Sequence, residues 1–249
     1  MLDHPFPADT TPVVHPPPHH RLVAIGEILL CSSVPTQALI GSILQLSGWS
    51  ATDAAGRLSL PFVLTLSLAD TLVLVALMVA LTRVHGESAT ELWIGHRRVR
   101  SETAVGLLLI PIVFMGVVIL LNTLRLVAPW LHNVPQNPLE QLAGTAADAA
   151  MFALVAIIAG GIREELQRAF LLRRFERSLG GAAVGVVVLS VAFGLGHYTQ
   201  GWDAVITTGA LGAFWAVVYL RRRSSVAPII SHAGFNSLEI LRVAILGSR

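Results

Sequence analysis

The sequence predicts an all-α protein, a polytopic transmembrane helical bundle of about seven spans (six to eight). Three observations carry that expectation. Hydrophobic residues make up 54% of the 249 and charged residues 13%, well outside the proportions of a soluble domain. The mean hydropathy is +0.69. Several apolar stretches approach the roughly 20 residues that one crossing of a bilayer needs, and none alternates in the manner of a strand.

The chain opens on "MLDHPFPADTTPVVHPPPHH", residues 1–20, whose proline content reads as a disordered tail. Its histidines, His15, His19 and His20, read as solvated. The leader lacks the basic start and small-residue cleavage site of a signal peptide, so the first span is expected to stay attached. A transmembrane domain then fills residues 21–249. Its first span, 22–46, holds the single cysteine, Cys31, which rules out an intrachain disulfide and a thiolate metal cluster. Further spans are expected at 60–82, 103–122, 147–166, 182–198, 204–220 and 226–246. Gly194 with Gly196 and Gly209 with Gly212 read as close helix contacts and not as phosphate loops.

Every one of the 17 basic side chains is an arginine, and the formal net charge is +2. The arginines gather at 83–100, 173–177 and 221–223, and the intervening loops carry only Arg57 and Arg125. Seven spans place the three rich segments on one side, which the positive-inside rule makes cytoplasmic. The protein is thus expected to be an integral, multi-pass membrane protein with its N-terminus in the cytoplasm and its C-terminus outside. The arginines at 221–223 read as anchors against anionic headgroups of the lipid bilayer, and no nucleic-acid partner is expected.

Ionisable residues inside a span cost about 2.5–3.5 kcal/mol each at the bilayer centre, so each needs a reason. In the second half of the chain the polar residues that stand out are Glu164, Glu165 and Arg168, His197, and His232 with Asn236. Arg168 lies one helical turn from either glutamate and can pair with either. His232 and Asn236, four apart, share one helical face. Two histidines from different helices with a carboxylate pair suit water activation, with or without a divalent metal such as zinc. A charge-lined transport pathway is the other reading that these residue types allow.

Three ordered motifs, "EELQR" at 164–168, "FGLGH" at 193–197 and "HAGFN" at 232–236, resemble those of the CAAX-protease and bacteriocin-processing intramembrane endopeptidases, which include the type II CAAX prenyl endopeptidases. The resemblance covers about 145–245. It implies an all-helical peptidase in which a glutamate, assisted by histidine, activates water and an asparagine stabilises the oxyanion. The catalytic set it implies is Glu164, Glu165, Arg168, His197, His232 and Asn236; Glu164, His197 and His232 are the ligands if a metal is bound. Expected partners are a peptide or protein substrate, membrane-associated or lipidated.

The first motif has two residues, Leu166 and Gln167, where the family pattern has three. Glu164 is a carboxylate position in either register, and Glu165 in only one. Glu164 is therefore expected as the general base and Glu165 as the partner of Arg168. At about 1.5 Å per residue, His197 sits deeper than Glu164 and His232 by about 8 Å. Two other readings remain: a non-catalytic scaffold or immunity protein of the same fold, and an ion-coupled transporter, against which the lack of an internal repeat argues.

Overall fold

The structure, a computed structural model, describes residues 18–247; most of the expected disordered tail lies outside them. Helix α1 (Pro18–Leu30) and α2 (Val34–Leu46) together make the first crossing, broken at 31–33. Pro35 in the first turn of α2 has no N–H to continue the preceding helix, and Ser33 turns the chain with φ of 70°. Next come α3 (Leu60–Val84), a short α4 (Ala89–Trp93) and α5 (Val99–Val127). Two 3-10 turns, Pro129–Leu131 and Pro138–Ala143, lead into α6 (Ala146–Val155). A π-helical stretch, Ala156–Arg163, joins α6 to α7 (Glu164–Ser178) without a break. The chain ends with α8 (Ala182–Leu195), α9 (Trp202–Arg222) and α10 (Val226–Leu246).

Among the described residues six helices are long and apolar enough to cross a membrane, and α8 is shorter, with 14 residues. Its length is about 21 Å at 1.5 Å per residue. It nevertheless carries the chain from one end of the bundle to the other, because α8 runs antiparallel to both neighbours. Gly185 packs on Phe175 and Leu172 of α7, while Gly194 faces Val205 and Gly209, and Gly212 faces Phe193. The expected glycine contacts between helices are thus made by Gly194, Gly209 and Gly212; Gly196 meets only its own helix. Such close approaches matter because lipid offers no hydrophobic force to drive helices together.

All three arginine-rich segments meet at one end. Ser225 donates from its N–H to Trp93 O at 2.7 Å, and Arg97 Nε donates to Arg222 O at 3.1 Å. Arg222 grips Glu102 through two bonds of 2.7 Å, and Arg223 pairs with Glu176 at 2.7 Å. Arg174 bridges Glu87 at 3.1 Å and Glu27 at 2.9 Å. The opposite end is closed by Asp203, which receives His132 Nδ1 at 2.8 Å, and by Arg242 of α10 on Glu140 at 3.0 Å. Following the chain between these ends gives seven traverses that start at the arginine end and finish at the other.

Buried acids are not confined to the second half. Glu27, Asp70 and Glu102, all in the first half, are buried, and each is paired with an arginine. They escape a search restricted to motif-bearing spans, although the insertion cost applies equally to them.

Removing Arg222 leaves the Glu102 carboxylate, fully buried, without a counter-charge. Arg222→Ala is expected to lower stability by about 3 kcal/mol, and adding Glu102→Gln to recover part of that loss. Thermal melts of the three detergent-solubilised proteins check the order.

Candidate functional site

The two adjacent carboxylates stand at the first two positions of α7, directly after the π-helical stretch. A π turn inserts extra backbone into a helix and re-aims the side chains that follow it. On an ordinary helix neighbouring side chains diverge by about 100°. Here both carboxylates reach the same imidazole, that of His232 on α10. Glu165 Oε1 accepts from His232 Nδ1 at 2.8 Å, and Glu164 Oε2 lies 3.9 Å from Nε2.

Their surroundings differ. The Glu165 side chain is 1% exposed and also accepts from Arg168 Nη1, one turn along α7. That of Glu164 is 20% exposed, and its other oxygen accepts from Arg163 Nη2 at 3.2 Å. Glu165 is thus enclosed between a guanidinium and an imidazole, whereas Glu164 is partly exposed. A donor at Nδ1 leaves Nε2 of neutral His232 with a lone pair, on the side of Glu164.

The His232 ring is held on its faces as well as its edge. Trp215 of α9 stacks on it with centroids 3.8 Å apart and planes at 16°, and Phe193 of α8 meets it edge-on at 6.2 Å. Trp215 is itself fixed by a bond from Nε1 to Ser231 Oγ of 3.3 Å. Arg168 lies over the Phe193 ring, 4.8 Å from its centroid, so the same aromatic side chain supports the cation and the imidazole. Four helices, α7 to α10, therefore converge on one histidine.

Asn236 lies one turn beyond His232 and packs on the π-helical stretch. Its Nδ2 donates to Ala156 O at 3.4 Å, a loose bond, and a Cβ at Gly160 would stand 2.5 Å from that nitrogen. Gly161 similarly makes room for Ala233, whose Cβ would lie 2.6 Å away. The Gly-Gly pair thus lets α10 approach closely enough to bring His232 to the glutamates.

His197 stays apart from this group. Its Nδ1 donates to Phe193 O of its own helix at 2.9 Å, and its ring is edge-on to Phe193 at 5.1 Å. Phe193 touches both histidines, which do not touch each other among the described residues. The expected ligand set of Glu164, His197 and His232 is consequently not assembled: no three His, Cys, Asp or Glu among the described residues are grouped to hold a metal ion.

Sequence reasoning missed Asp70, Arg163 and Trp215, and gave Phe193 no role beyond its place in a motif. Asp70 was legible by the insertion-cost rule alone. Trp215 carries no such signal, because a tryptophan in an apolar helix is ordinary.

Residues 146–238 match the family model described as "Type II CAAX prenyl endopeptidase Rce1-like". The matched segment contains Glu164, Glu165, Arg168, His197, His232 and Asn236, so the resemblance read from the three motifs is supported over that part of the chain. At family level the match is to a membrane protease, in keeping with a multi-pass helical protein. No curated protein and no solved structure matches the chain.

The unequal burial of the two glutamates sets an expected outcome. Glu165→Ala strands a buried guanidinium and is expected to cost about 3–5 kcal/mol. Glu164→Ala, whose arginine keeps Asp70 as a partner, is expected to cost about 1 kcal/mol or less. Melting temperatures of the two variants decide; equal losses would refute the distinction.

Proposed function

We propose that this protein is an intramembrane endopeptidase that hydrolyses a peptide bond with water activated between Glu164 and His232. The observation that supports this most is that one imidazole is flanked by two carboxylates of opposite character. Glu165, charged and enclosed, orients His232 through Nδ1. Glu164, partly exposed, stands opposite Nε2. A gap of 3.9 Å is too long for a direct hydrogen bond and suits a water that touches both groups.

In this reading Glu164 takes a proton from the water as its oxygen adds to the scissile carbonyl carbon. His232 Nε2 steadies the water and then the shared proton. The carbonyl oxygen becomes an oxyanion, towards which Asn236 Nδ2 turns from its loose bond to Ala156. The proton passes from Glu164 to the amide nitrogen, the C–N bond breaks, and a carboxylic acid and an amine leave. Arg168 donates to Glu165, and Glu165 keeps the Nδ1–H of His232 pointed at it. His197, with Nε2 open and Phe193 between it and His232, is assigned to the substrate and not to the water.

The substrate class proposed is a peptide carrying a prenylated cysteine near its C-terminus, as the name of the matching family suggests. An internally quenched, farnesylated CAAX peptide in liposomes supplies the test. The wild-type protein is expected to cleave it, Glu164→Gln to lose turnover without losing its fold, and Asn236→Ala to lose about 100- to 1,000-fold in rate. A zinc chelator is expected to leave turnover unchanged. A wild-type protein that does not cleave it, with the fold intact, would favour the scaffold reading.

Glu164 and His232 each lie about nine residues, roughly 14 Å along a helix, from the arginine end. We place that end in the cytoplasm, with the C-terminus outside. Reporter fusions at residue 249 are expected to behave as external and fusions in 85–98 as cytoplasmic.

A further inference from the structure

Arg163 is buried and uses all three of its guanidinium nitrogens. Nε donates to Ala159 O of its own helix at 3.2 Å. Nη1 donates to Asp70 Oδ2 and, at 3.1 Å, to Ser33 Oγ. Nη2 donates to Glu164 Oε1 at 3.2 Å. Asp70, on α3, is completely buried, and its carboxylate is also engaged by Thr36 Oγ1 and by Gln37 Nε2 at 3.1 Å, both on α2. Ser33 and the carbonyl of Cys31, at the break between α1 and α2, accept from Gln167 Nε2 at 3.1 and 2.5 Å.

A pair that merely tied α3 to the π-helical stretch would need only the arm on Asp70. The guanidinium has a second arm, which holds one oxygen of Glu164 and leaves the other towards His232. An arginine is a planar fork that can serve two carboxylates at fixed angles, which a lysine cannot do. Asp70 fixes that fork, because a buried guanidinium with a single carboxylate would close upon it. We propose that Asp70 is a positioning residue for Glu164, acting through Arg163, so that the helices before residue 146 set the geometry of the base in the segment after it. This rests on the reading of Glu164 as the general base.

The test uses the farnesylated peptide and the full chain. Arg163→Lys keeps the charge and a bond to Asp70 but loses the second arm. Asp70→Asn keeps the shape but releases the fork. Each is expected to lower kcat about 10- to 100-fold, as a misplaced base does, with KM within about twofold of wild type and with a lowered melting temperature, as a weakened buried ion pair requires, but a retained fold. The double variant is expected to be no more than about threefold slower than the slower single, because the two residues act as one unit. Wild-type kcat in either folded variant overturns the proposal, as does loss of fold in both, which would mark the cluster as structural. Should Glu164→Gln itself retain turnover, the assignment of the base fails instead, so the two failures are told apart.

Discussion

The Glu165 carboxylate, shut away from water and shared by Arg168 and His232, is the contact on which the arrangement depends. A charge in such a place is tolerable only with its partners in position, and removal of one leaves the others stranded. It joins α7 to α10, and through His232 it fixes Trp215 on α9 and Phe193 on α8. In a bilayer, where apolar burial does not hold helices together, a polar tie of this kind does much of what a hydrophobic core does in water. The result is a histidine with one nitrogen committed and one available.

Two backbone features make that contact reachable. The π-helical stretch ahead of Glu164 changes the direction in which the glutamates point, and Gly160 and Gly161 within it let α10 come close. The one-residue difference in the first motif therefore lies just after an irregular turn. Helical-wheel arithmetic, which assumes a regular 100° step, places Glu164 and Glu165 on diverging faces. The irregular backbone brings both to one ring, though at unequal distances.

The bundle and its ends were legible because they rest on quantities that add along the chain: apolar length and arginine placement. The convergence of Trp93, Glu102, Arg174 and Arg222 at one end follows the same pattern. The shared neighbourhood of Glu164, Glu165, Arg168 and His232 was legible from spacing and motif order. The place of His197, bonded to Phe193 O and edge-on to the Phe193 ring, was not legible from motif order alone. Asp70 and Arg163 were hidden for another reason. Their pairing spans 93 positions, and no local period or motif links a lone acid in α3 to an arginine beside the glutamates.

The brevity of α8 bears on the surroundings as well as on the bundle. A crossing of about 21 Å does not match a hydrocarbon layer of about 30 Å. A bilayer meets such a mismatch by thinning locally, by snorkelling of flanking residues or by association of the protein, at a fraction of a kcal/mol per ångström. Local thinning would bring headgroups and water towards the flank where His197 and the turn Tyr198–Gln200 follow the helix. Beside a helix this short the oil layer is expected to be shallower than beside its longer neighbours.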